Sequence, residues 1–192
     1  MKNIKLLFVL AILGIIISNI VLAGELKKAE NFSLKDYKGE EIKLSDFKSS
    51  KAIVIMFVST QCPVSNAYNK RMAALYNDYK SKGIAVLGIN SNKSEGIDEI
   101  KKHAKENGFE FPVLKDENNI VADKFGASFT PEIFVLNGKM DIVYHGRIDD
   151  SRKTEDVKTN DLRNALDEIL KGKSVTVSST KAFGCTIKRS NS

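Results

Sequence analysis

Cysteine and histidine are scarce in this chain, two of each among 192 residues. No Cys/His ligand spacing recurs, so no metal centre is expected. No internal repeat and no long glycine/serine linker interrupts the sequence. That leaves one domain, of a size able to bury its own core, plus a short leader. A basic stripe is missing too. The net charge is +6, but the lysines of Lys27-Lys28, Lys101-Lys102 and Lys105-Glu106 are spread among acids. Such interleaving describes solvated helix faces and excludes a nucleic-acid surface.

The longest apolar run lies at the N-terminus. Lys2 and Lys5 precede Leu6 to Ile17, and Val21-Leu22-Ala23 supplies small residues where a leader would be cut. Residues 1–23 are therefore expected to be a signal peptide and residues 24–192 the exported domain, with a tail from 172 onward. If the leader stayed uncleaved it would be the only membrane contact. No cysteine follows the leader, so a lipid anchor is not expected. Export to a periplasm would place the two cysteines, Cys62 and Cys185, where disulfides form and persist.

Element signals alternate along the rest. A hairpin is expected near residues 31–45, then strand 52–58, helix 63–81, strand 84–90, helix 95–107 and strand 111–114. A short helix 118–125, strands 132–137 and 141–147, and helix 159–171 complete the order. Ala52-Ile53-Val54-Ile55-Met56-Phe57-Val58 is continuously apolar, as a strand buried on both faces must be. Ala67, Arg71, Leu75 and Tyr79, with Met72 and Tyr76 between them, form an amphipathic stripe on the following helix. Asn137-Gly138 reads as a tight hairpin turn. Parallel strands joined by helices, then a hairpin and a closing helix, give an α/β domain with a central mixed sheet flanked by helices. The tail reads as irregular, with Ser174 to Lys181 either a short strand or a loop.

Cys62 stands where strand 52–58 runs into a helix. Pro63 suits the first helical turn, where its missing N–H costs nothing. A thiol at that point meets unpaired N–H groups and the positive end of the helix, both of which favour the reactive thiolate. In Cys62-Pro63-Val64-Ser65 the second cysteine of a Cys-x-x-Cys frame is replaced by Ser65. A dithiol cycle inside the motif is thereby excluded. Downstream, Phe129-Thr130-Pro131-Glu132-Ile133-Phe134 sets a proline directly before another apolar strand.

These segments together resemble the thioredoxin superfamily, and within it the peroxiredoxin-like redoxin branch (the alkyl hydroperoxide reductase/thiol-specific antioxidant type). The likeness spans roughly residues 30 to 189. It rests on Asn31-Phe32-Ser33-Leu34 to Phe47, on Lys82 to Asn92, on Phe111 to Glu117 and on Ala122 to Ala127. Gly146-Arg147-Ile148-Asp149 and the late Ala182-Phe183-Gly184-Cys185-Thr186-Ile187-Lys188 extend it. The resemblance implies a thioredoxin-like fold with an N-terminal β-hairpin extension. It also implies a cis Pro131 lying against the Cys62 sulfur, and a site walled by Thr60, Gln61, Pro63, Ser65, Thr130 and Pro131. No organic cofactor is implied. The partners would be an external thiol reductant, either a thioredoxin-like protein or a small thiol, and a peroxide or a protein disulfide as substrate.

Three roles stay open for Cys62 at this point. As a peroxidatic thiolate it would form a sulfenic acid that Cys185 condenses with. True peroxiredoxins carry Pro-x-x-x-Thr/Ser-x-x-Cys, and here Ile55 stands at the proline position and Ser59 at the hydroxyl position. Arg147 would be the guanidinium that peroxide chemistry needs; Asp149-Asp150 and Asp116-Glu117 are expected to cap helices or sit in turns, with proton transfer by Asp149 the lesser alternative. In thiol–disulfide exchange, Cys62 would attack a substrate disulfide, Cys185 or a second thiol would release it, and Thr130 would pair with an extended peptide. The third role is a structural Cys62–Cys185 disulfide, worth about 4–5 kcal/mol for so long a loop in a chain-entropy treatment, in a non-catalytic binding module. Thr60 and Gln61 either hydrogen-bond the thiolate or face solvent. His103 is expected to be solvated on its lysine-rich helix, and His145 to be an edge or core histidine.

Overall fold

A computed structural model describes residues 27–189. The leader and its cleavage position lie outside the described residues. Strand β1 (Ser33–Asp36) turns back through Gly39, at φ +88°, into β2 (Glu41–Lys43), which confirms the N-terminal hairpin. A 3-10 turn, Leu44–Phe47, leads to β3 (Ala52–Phe57). Helices α1 (Pro63–Asn66) and α2 (Asn69–Tyr79) follow, then β4 (Ile84–Asn90) and α3 (Ile97–Glu106). Next come β5 (Val113–Lys115), α4 (Ile120–Phe125), β6 (Phe129–Thr130), β7 (Glu132–Asn137) and β8 (Ile142–Gly146). Helix α5 (Asp161–Leu170) and strand β9 (Cys185–Thr186) close the order.

Seven strands form one sheet in the order β2-β1-β5-β4-β3-β7-β8. β3 runs parallel to β4 and antiparallel to β7, so the sheet is mixed. Every residue of β3 is buried because the sheet is covered on both faces. Ala52, Val54 and Met56 join one core with Met72, Leu75 and Tyr79 of α2 and Leu162, Ala165 and Leu166 of α5. Ile53, Ile55 and Phe57 point the other way, onto Val121, Ala122 and Phe125 of α4. Period-two alternation within a continuous apolar run thus assigns each side chain to one of two layers.

Three local expectations need correction. Helix 63–81 is broken after Asn66: Tyr68 N–H bonds back to the Ser65 carbonyl, three residues away, and the α-helical ladder resumes with Met72 to Tyr68. The buried Tyr68 ring, packed under the Arg71 guanidinium at 3.7 Å and edge-on to Phe183, sits at this break. Asn137-Gly138 does not make a two-residue turn. The Asn137 carboxamide oxygen accepts from the Lys139 and Asp141 N–H groups, and the left-handed residue is Met140 at φ 64°. The result is a longer loop with its left-handed position late. The tail is not irregular throughout. His145 N–H donates to Ser178 and Thr180 N–H donates to His145, so this stretch adds to β8, and β9 then pairs with β6.

Candidate functional site

Cys62 closes the turn that leaves β3 and caps α1, and the Ser65 N–H points at its sulfur from 3.3 Å. Two hydroxyls shape this turn from inside. Ser59 Oγ accepts the N–H groups of Cys62, at 2.9 Å, and of Gln61, at 3.2 Å. Ser65, completely buried, uses its Oγ to accept the Ser59 N–H. The serine that replaces a second motif cysteine is therefore a strut of the turn.

On the opposite wall the Thr130–Pro131 peptide is cis, and the Thr130 carbonyl oxygen lies 3.3 Å from the Cys62 sulfur. Strand β9 runs antiparallel to β6 with Cys185 opposite Thr130. This brings Cys185 to Cys62, Cα to Cα 6.0 Å, and the two are joined in a disulfide that links positions 123 residues apart. The surrounding cleft, about 220 Å³, is lined by Ser59, Gln61, Pro63, Asn92, Glu95 and Lys188 besides the Thr130 wall and the two cysteines. Within the disulfide Cys62 is only 4 % exposed, while Cys185 is half-buried.

Not every expected role is filled. Thr60 and Gln61 do not reach the sulfur with their side chains. Thr60 Oγ donates to Glu99 at 2.5 Å and Gln61 Nε2 to the same carboxylate at 3.2 Å. Arg147 gives its Nε–H to Asp161 at 2.7 Å and does not line the cleft. Asp149 is held by both oxygens on Arg71, at 2.7 and 2.6 Å, so it is a structural partner and not a proton shuttle. The edge of Thr130, expected to be open for a peptide, is occupied by the chain's own β9.

His103 is half-buried, not solvated. Asn66 commits its Nδ2 to the Thr60 carbonyl at 2.8 Å, and His103 Nε2 lies between Asn66 Oδ1, at 2.9 Å, and Asn69 Nδ2, at 3.1 Å. Burial pushes the His103 pKa down, against the smaller opposing pull of Glu95, Glu106 and Glu99. His145 stacks on Phe134 with centroids 4.2 Å apart and meets Glu132 at 2.7 Å. Burial would raise the Glu132 pKa. Hydrogen bonds from His145 and from the Ser128 and Phe129 N–H groups outweigh it, and the net shift is downward. Glu132 thereby fixes the backbone that carries Thr130.

The sequence reading missed Glu95, Glu99 and Asn92. Glu95 is buried and accepts Ser59 Oγ–H at 2.5 Å, Thr60 N–H at 2.7 Å and Asn90 Nδ2–H at 2.6 Å. Glu99 and His103 stand one turn apart on α3, Glu99 against Thr60 and Gln61 and His103 against Asn66, whereas Asn92 and Glu95 belong to the loop before α3, where no periodicity marks them.

The profile of the AhpC/TSA family matches residues 26–145. The chain belongs to the AhpC/TSA family. A relative in Bacillus subtilis (strain 168), named thiol-disulfide oxidoreductase ResA, is 33 % identical over 153 residues, covering 76 % of this chain and 84 % of the relative. A crystal structure of a hypothetical protein from Sinorhizobium meliloti 1021 superposes with a TM-score of 0.82 at 35 % identity, over 87 % of this chain and 95 % of that one. The thioredoxin domain of a thiol-disulfide oxidoreductase from Bacteroides vulgatus shares the fold, with a TM-score of 0.61 at 19 % identity, over 75 % of this chain and 96 % of that one. The thioredoxin-like fold and the family implied by the sequence are both borne out.

Proposed function

We propose that Cys62 is the nucleophile of a thiol–disulfide exchange cycle and that Cys185 is its resolving partner. The observation that carries this reading is the pairing of Cys185 with Thr130, which sets the second sulfur against the first across the cis-proline wall. The protein is a thiol oxidoreductase of its family, and the name of the Bacillus subtilis relative supports exchange as the reaction type.

In the reduced state the Cys62 thiolate is stabilised by the Ser65 N–H, and its protonated form can donate to the Thr130 carbonyl. The thiolate attacks one sulfur of a substrate disulfide, forming a Cys62–substrate disulfide and expelling the other sulfur as a thiolate. Cys185 then attacks the Cys62 sulfur, the substrate leaves as its second thiolate, and the Cys62–Cys185 bond closes. Two electrons have moved from the pair to the substrate. An external thiol reductant returns them. Export through the leader 1–23 belongs to this proposal, because it sets the compartment in which the pair would work.

A peroxidase cycle is the weaker reading. Ile55 occupies the position of the peroxiredoxin proline, and the Arg147 guanidinium is committed to Asp161. The two are separated by mixing the fully reduced protein with one equivalent of either oxidised glutathione or hydrogen peroxide and mapping the early products by peptide mass spectrometry. Exchange predicts that glutathione on Cys62 precedes the Cys62–Cys185 bond and outpaces peroxide. Rapid formation of a Cys62 sulfenic acid with sluggish glutathione exchange would reverse the assignment.

A further inference from the structure

The six residues Asn90–Glu95, from the last residue of β4 through the loop that precedes α3, touch both cysteine-bearing segments. At one end Glu95 takes the Ser59 hydroxyl and the Thr60 N–H of the Cys62 turn. Near the other, Asn92 Oδ1 accepts the Lys188 N–H at 2.9 Å, and Lys93 N–H donates to the Lys188 carbonyl at 3.1 Å. Lys188 lies three residues beyond Cys185. One short loop therefore grips the nucleophile's turn with one hand and the tail with the other.

The loop is itself pinned by buried polar groups. Asn90 ties down Glu95, the Lys115 ammonium donates to the Asn92 carbonyl at 2.7 Å, and Ser91 Oγ donates to Asp116 at 2.8 Å. Asn119 Nδ2 donates to the Ser91 carbonyl, and Asp116 N–H to the Asn90 carbonyl. Asn90, Ser91, Asn92, Glu95, Lys115, Asp116 and Asn119 are all buried. Burying so many polar groups is costly unless each is paired, and a fully paired network rigidifies its segment.

We infer that Asn92 and Glu95 are positioning residues that hold Cys185 beside Cys62 after the disulfide has opened. The inference rests on the exchange reading only in supposing that the bond opens and closes. Its specific content is that these contacts determine how much of the reduced protein keeps its tail docked, and so set the effective concentration of Cys185 toward Cys62. Resolution is then an intramolecular step with a high effective concentration, not capture by a wandering arm.

The test is the equilibrium of the full chain with glutathione buffers of known composition, in which two glutathione thiols become one glutathione disulfide for each Cys62–Cys185 bond reduced. Peptide mapping after acid quench and alkylation gives the effective concentration of one cysteine toward the other. Asn92→Ala and Glu95→Gln should each lower it about tenfold or more, the scale expected when reacting groups lose their alignment. Asn92→Asp, which keeps the acceptor for the Lys188 N–H, should restore most of it. Leu75→Ala serves as a core control: it should lower the melting temperature and leave the effective concentration unchanged. The inference is overturned if Asn92→Ala and Glu95→Gln stay within twofold of the parent, or if Leu75→Ala falls as far as they do. A parent bond that glutathione does not open would count against the exchange cycle instead, and dithiothreitol in the same titration would still rank the variants.

Discussion

Gly184 lies against the carbonyl group of Thr130 so closely that a Cβ at position 184 would overlap the carbonyl oxygen and carbon. Glycine here is demanded by close approach of two backbones, and the approach is what delivers the next residue, Cys185, to the Cys62 sulfur. Gly184→Ala must push the tail off the wall or bend it. Overpacking of this kind costs about 1–3 kcal/mol. The expected result is a lower melting temperature for the oxidised protein and faster opening of the disulfide by a small thiol. An unchanged opening rate would mean that the tail docks through other contacts.

The two cysteines should separate by function when replaced singly. Cys62→Ser abolishes thiol-dependent turnover, while Cys185→Ser leaves the first attack intact and slows release, so that a Cys62–substrate disulfide accumulates. Mass spectrometry of the trapped adduct reads this directly. A Cys185→Ser protein that turned over normally and was merely less stable would return the pair to a structural role.

Arg71 and Asp149 form a partly buried pair, with side chains 16 % and 4 % exposed. The same guanidinium also serves the Ser151 and Arg152 carbonyls. Removing one partner from such a pair costs about 3–5 kcal/mol, because the other charge is left uncompensated. Asp149→Ala should therefore lower stability by roughly this order while leaving the alkylation rate of Cys62 within about twofold. A large change in Cys62 reactivity at preserved stability would restore Asp149 as a proton-transfer group.

Acid should loosen the wall that carries Thr130. The Glu132 pKa is depressed in the folded protein, so its contribution is fully present above the unfolded-state value and is lost as pH falls through the lower native value. The lowered His103 pKa acts in the same direction. The unfolded chain takes up the proton first, and stability drops as pH falls below the ordinary histidine value. Glu132→Gln should flatten the acid limb of a stability-versus-pH curve. An acid limb of undiminished slope would assign the effect to other groups.

Much of this was readable in the sequence, and the misses share a cause. Cys62 before Pro63, Thr130-Pro131 before an apolar strand, and the two-layer β3 are local patterns whose period or turn chemistry sets the structure. The partners of Arg147 and Asp149 were not legible because charged partners are chosen by tertiary packing: Asp161 claims the first and Arg71 the second. His103 looked solvated because its neighbours Lys101 and Lys102 are, yet helical geometry turns position 103 inward beside buried Ala104. The tail gave only a hint in its Val and Ser/Thr alternation, since its pairing partners, β8 and β6, are distant in sequence.

The most direct test of the account is the redox midpoint of the Cys62–Cys185 bond in the unmodified protein, measured against glutathione buffers by quenched alkylation. Exchange chemistry predicts a reversible two-electron transition inside the glutathione range, above about −300 mV, with both thiols appearing together. A bond that stays closed throughout that range, as structural disulfides below about −300 mV do, would contradict it.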